Sequence, residues 1–79
     1  MLPRLTHRQI EAFRAVMETG KVTAAASVLG TTQPSVSKLI ADLERAAGFE
    51  MFERHGRQVV PTPEARALFE EVERAFVGM

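Results

Sequence analysis

Ala24-Ala25-Ala26-Ser27-Val28-Leu29 runs into Gly30-Thr31-Thr32 and then into Gln33-Pro34-Ser35-Val36-Ser37-Lys38. Alanine is the best helix former, and its small side chain lets a second helix approach closely. Gly30 closes this short helix, and Thr31-Thr32 supply a turn and a cap. Pro34 is tolerated just inside the next helix, where first-turn N–H groups lack partners in any case. Val36, Ile40, Leu43 and Ala47 recur at steps of four, three and four, with Leu39 at the stripe's edge, until Gly48 ends the helix. Two helices joined by the three residues Gly30 to Thr32 match a helix-turn-helix connection.

The flanking segments complete a small architecture. Upstream, Thr6 and Gln9 have the spacing of a capping box and Leu5 and Ile10 that of a hydrophobic staple. Ile10, Phe13, Val16 and Met17 then follow a 3.6-residue period that Gly20 interrupts, which predicts a helix over about residues 7–19. Downstream, Met51-Phe52-Glu53-Arg54, His55-Gly56 and Arg57-Gln58-Val59-Val60 read as a β-hairpin with glycine at its tip. Pro61 is expected to prevent continuation of the strand, and Thr62-Pro63-Glu64 place cap, proline and acid in the order that starts a helix. That fourth helix carries Ala65, Leu68, Phe69, Val72, Ala75 and Phe76. The fold class is mainly α: a winged helix-turn-helix of three helices, a hairpin wing and a C-terminal helix. Residues 1–61 are expected to form the winged domain and 62–79 a linker or dimerisation helix.

Composition narrows the functions available. Seventy-nine residues allow one small domain, and the absence of cysteine excludes disulfides and thiolate chemistry. His7 and His55 stand 48 positions apart, so no metal-spaced cluster exists, and neither metal nor cofactor is expected. No nucleophile–base pair or carboxylate dyad with an evident cleft can be assembled, which argues against an enzyme. No apolar signal core follows Arg4, Arg8 and Glu11, and the longest charge-free run, Val22 to Ser37, is broken by Thr, Ser, Gly, Gln and Pro. A cytoplasmic location is the expectation.

Ten Lys+Arg against ten Asp+Glu give zero net charge, which counts against nucleic acid until charge is placed along the chain. Residues 1–60 hold eight basic and six acidic side chains, a net of +2, and residues 61–79 hold two against four, a net of −2. Between Glu18 and Asp42 there is no acid, while Lys21 and Lys38 are present. At about 100° per residue, Pro34, Lys38, Ala41 and Arg45 lie opposite the core stripe, flanked by Ser35 and Ser37. Near the N-terminal end of the helix this outer face is small, polar and singly basic. It suits either an ordinary solvated surface or insertion into a major groove, which excludes bulk and rewards donors and acceptors.

Other residues also carry paired readings. Thr31 and Thr32 can cap the third helix and also bond phosphate, because helix N-termini attract anions. Arg54, His55 and Arg57 cluster at the hairpin, where Arg57 can enter a minor groove or one of the two arginines can pair with a nearby acid such as Glu53 or Glu50. Arg54 can serve DNA or structure, and His55 reads as a solvated turn residue. Leu68, Phe69, Val72 and Phe76 form a stripe longer than a three-helix unit covers, which points to antiparallel pairing in a homodimer or to a core helix. A dimer would set two reading helices about 34 Å apart on successive major grooves.

Glu18-Thr19-Gly20, Thr23, Ala25-Ala26, Leu29, Gln33-Pro34-Ser35-Val36-Ser37-Lys38, Ile40, Leu43-Glu44, Gly48, Phe52, Arg54 and Thr62 resemble the LysR-type transcriptional regulators over nearly the whole chain. The resemblance implies a bacterial double-stranded DNA reader with a dimerising linker helix, acting on interrupted inverted repeats. It implies base and phosphate contacts at Gln33, Pro34, Ser37 and Lys38 and a minor-groove contact at Arg57. Three departures matter. Lys21 stands where the family usually has a capping Ser, and offers a phosphate contact instead. Lys38 replaces a commoner Arg, which favours a point-charge phosphate role. Pro61 and Ala65 stand where Leu and Gly are common. The family's effector-binding domain is not encoded in these residues, so the chain is expected to be part of a longer protein and to meet a small-molecule effector only through that domain. The competing reading is a winged-helix protein–protein interaction module without DNA binding.

Overall fold

The computed structural model describes residues 5–56 and 58–77, with side chains through Ala75. The elements run α1 (His7–Thr19), α2 (Val22–Leu29), α3 (Gln33–Ala47), β1 (Phe52–His55), β2 (Gln58–Pro61) and α4 (Pro63–Val77). This is the winged helix-turn-helix expected.

Local chemistry explains where each helix starts and stops. Thr6 Oγ1 accepts from the Gln9 N–H and Gln9 Oε1 accepts from the Thr6 N–H, both at 3.1 Å, so the capping box forms in full. At the end of α2, the Gly30 N–H reaches Ser27 O (3.2 Å) and the Thr31 N–H reaches Ala26 O (2.9 Å). This is a Schellman closure, which needs a residue in the left-handed region, and Gly30 takes it at φ 68°. Thr32 then caps α3 by accepting from the Ser35 N–H at 3.3 Å. α2 begins at Val22, two residues before the alanine run, and Lys21 at its N-cap makes no side-chain capping bond.

The core collects one face from every element. Phe13 and Val16 of α1, Ala25 of α2, Val36 and Leu43 of α3, Met51 and the α4 residues Ala65, Leu68 and Val72 are all buried in one cluster. Phe13 is the hub: its ring centroid lies 6.0 Å from that of Phe52 and 6.2 Å from that of Phe69, the second edge-on. One aromatic ring of α1 thereby meets both the wing and α4.

Three tethers fix the wing. The Val59 N–H donates to Gly20 O (3.3 Å), and the Met51 N–H donates to Glu44 Oε2 of α3 (2.8 Å). Thr62, buried, donates through Oγ1 to Glu50 O (2.8 Å) and accepts from the Ala65 N–H (3.1 Å). The strands pair antiparallel from Phe52↔Pro61 to His55↔Gln58. Pro61 therefore ends β2 from within the ladder rather than beyond it, because proline is tolerated at the end of an edge strand.

Part of the expected dimerisation stripe lies in the chain's own core. Leu68 and Val72 are 5% and 1% exposed within their own chain, and half-buried Phe69 packs on Phe13. The Phe76 side chain lies outside the described residues.

Candidate nucleic-acid interface

The N-terminal end of α3 projects between two open grooves. On the wing side, a groove of about 460 Å³ is lined by Lys21, Thr23, Gln33, Arg54 and Gly56. On the α1 side, a groove of about 230 Å³ is lined by Arg8, Ser35, Lys38 and Asp42. Gln33, Pro34 and Lys38 are exposed between them, and Ser35 is half-buried. The structure thus brings together Lys21, Gln33 and Arg54, which lie far apart in sequence. Ser37 is half-buried and lines a further groove against the wing with Ala41, Glu44 and Arg54.

The electrostatics of this end favour anions. No acidic residue occupies the first turn of α2 or of α3. The positive ends of both helix dipoles are therefore not offset by a side chain of their own first turns. Lys21 and Arg54 are exposed and make no ion pair with a described residue, and Glu53 instead lies 3.5 Å from His55 Nε2. The alternative pairing of Arg54 with Glu53 or Glu50 is not formed. Arg57 lies outside the described residues.

Thr31 and Thr32 divide their work. Thr31 closes α2 through its backbone and is half-buried. Thr32 is exposed, and its Oγ1 also donates to Ser35 Oγ at 2.9 Å. Two hydroxyls and the uncompensated first turn of α3 thus lie side by side.

Arg8 and Thr23 line the grooves but were not singled out by sequence. Arg8 shares its groove with Lys38 only because α1 packs beside α3, a long-range relationship without a local signal. Thr23 belonged to the family-like pattern, and that was its only sequence mark. Among the described residues there is no group of His, Cys, Asp and Glu that could hold a metal, and no helix long and apolar enough to cross a membrane.

Comparison with known proteins agrees with this geometry. The family model for bacterial regulatory helix-turn-helix proteins of the lysR family matches residues 7–66. The octopine catabolism/uptake operon regulatory protein OccR of Rhizobium meliloti is 58% identical over 72 residues, covering 91% of this chain and 24% of that protein. The transcriptional activator protein LysR of Escherichia coli is 44% identical over 72 residues, covering 91% of this chain and 23% of LysR. The chain thus spans about a quarter of the length of these relatives. Among solved structures, the CbnR DNA-binding domain in complex with DNA superimposes with a TM-score of 0.87 at 32% identity, over 91% of this chain and 83% of that one. The BenM DNA-binding domain bound to its benA site 1 DNA gives 0.87 at 31% identity, over 94% and 83%.

Proposed function

This chain belongs to the LysR family of bacterial regulatory helix-turn-helix proteins, and on that premise we propose that it binds double-stranded DNA sequence-specifically as the reading head of a transcriptional regulator. One observation carries the reading. Gln33 and Pro34 stand exposed in the acid-free first turn of α3 and Lys38 stands exposed one turn further on, while Lys21 and Arg54 line a groove together with Gln33.

The roles follow from side-chain chemistry. α3 enters the major groove, where the Gln33 amide offers a donor and an acceptor to base edges and Pro34 offers a flat apolar contact. Lys38, Lys21 and the hydroxyls of Thr31, Thr32, Ser35 and Ser37 meet phosphates or base edges near the helix terminus. Arg54 and Arg57 bring the wing to the minor groove. Residues 1–61 act as the reading head and 62–79 as the linker, and a homodimer forms through the part of α4 that its own core leaves open. The dimer reads an interrupted inverted repeat. An effector acts only through a domain of the longer regulator. No catalysis belongs to this role, and its place is the cytoplasm.

Selection of bound duplexes from a random pool tests the proposal. Enrichment of a symmetric, spaced half-site supports both the reader and the dimer. A pool that shows no enriched sequence refutes specific readout.

A further inference from the structure

Asp42 lies one turn beyond Lys38 and one turn before Arg45 on α3, and its carboxylate meets both cations. Lys38 Nζ is 3.3 Å from Oδ2, and Arg45 Nη2 pairs with Oδ1. The two cationic side chains are 77% and 72% exposed, against 26% for Asp42. Exposed pairs of this kind add little to folding. Their larger effect is on where positive charge is presented. A lysine preceding its acid by four residues is the weaker order on a helix, so the pair is readily released. While it lasts, it draws the ammonium toward the C-terminal half of α3 and away from the open end beside Ser35. The guanidinium of Arg45 is permanently charged and occupies the other carboxylate oxygen.

We propose that Asp42 holds Lys38 in the free domain and releases it to a DNA phosphate, while Arg45 stays on the carboxylate. This rests on the DNA-binding reading above. The shared carboxylate makes the transfer feasible: when Lys38 leaves, Asp42 keeps a cation and is not left as a lone anion facing the phosphates. Arg45 is then a positioning residue without a phosphate of its own. A carboxylate on the reading helix also penalises contacts to the DNA backbone alone, and so restrains binding to unrelated sequence.

The test is a double-mutant cycle by fluorescence anisotropy, with a selected duplex and a base-scrambled duplex at several salt concentrations. Arg45→Gln should weaken binding in the wild-type background by roughly fivefold, the scale of one lost charge contact in a solvated setting. The same change should have no effect in an Asp42→Asn background. Asp42→Asn alone should tighten binding to the scrambled duplex and lower the preference for the selected one. Equal losses on Arg45→Gln in both backgrounds would make Arg45 a direct phosphate contact and overturn the proposal. Wild-type affinity of Arg45→Gln would overturn it as well. A wild-type chain that binds neither duplex would overturn the DNA-binding reading and this proposal with it, whereas wild-type binding without the coupling overturns this proposal alone.

Discussion

Arg14 of α1 and Glu73 of α4 are joined by an ion pair of 3.2 Å between Nε and Oε1, across 59 positions of sequence. Both side chains are 31% exposed, so the pair is screened less than one on the open surface. It lies beyond Leu68 and Val72 on α4 and ties that part of the helix to the body of the domain. Glu73→Gln should therefore cost up to about 1 kcal/mol, or roughly 4–8 °C in the thermal midpoint of a domain this size. Hydrogen exchange should show the lost protection concentrated in the last turns of α4. Uniform loss across α1 to α3 would contradict a local tether.

Lys21 should show opposite effects on folding and binding. It occupies the N-cap of α2 without a side-chain bond, so Lys21→Ser supplies a missing acceptor and should stabilise the domain by about 0.5–1 kcal/mol. If Lys21 also meets a phosphate, the same variant loses DNA affinity and its log–log salt slope falls by about one unit. Thermal unfolding and a salt titration read the two effects separately. A stabilised variant with unchanged slope would remove Lys21 from the interface.

Much of this architecture is local, and local features are legible in sequence. The Thr6–Gln9 box, the stripe from Ile10 to Met17 and the glycine stops at Gly20, Gly30 and Gly48 each specify a helix boundary from within a few residues. The start of α2 was less legible, because Lys21 caps nothing and Val22 gave no signal ahead of the alanines. Long-range relationships were not legible. Nothing near Leu68 or Val72 announces that Phe13 packs against α4, so the apolar stripe pointed to a dimer although a core helix has the same pattern. The bond from Met51 N–H to Glu44, the meeting of Arg8 with Lys38 and the Arg14–Glu73 pair likewise depend on the assembled fold. Of the candidate DNA residues on α3, Pro34, Ser35, Ser37 and Lys38 could be grouped by helical angle and Gln33 entered through the family resemblance, whereas the approach of Lys21 and Arg54 to Gln33 was not legible.

The turn between the two central helices should resist any side chain. Gly30 holds φ 68° with nothing within 4 Å of an added Cβ, so the penalty of substitution is conformational rather than steric crowding. Gly30→Ala should cost about 1–2 kcal/mol, measured by denaturant unfolding. Gly30→Asn should cost less, since asparagine tolerates this region better. Equal costs would show that the backbone conformation is not the cause.

Thr62 joins the wing to α4 from a buried position. Its hydroxyl accepts from the Ala65 N–H and donates to Glu50 O and, at 3.3 Å, to Met51 O, so Thr62→Val keeps the shape and removes these bonds. The expected loss is about 1–3 kcal/mol, the cost of leaving a buried polar group unsatisfied. Thr62→Ser should restore most of it. Failure of serine to rescue would assign the loss to packing of the methyl group instead.

The central claim is sequence-specific reading through the exposed end of α3. Its most direct measurement is the affinity of wild type and Gln33→Ala for a selected duplex and its base-scrambled counterpart at one fixed salt concentration. Wild type should prefer the selected duplex, and Gln33→Ala should lose about 1–3 kcal/mol on that duplex while binding the scrambled one unchanged. Equal wild-type affinity for the two duplexes would contradict the account.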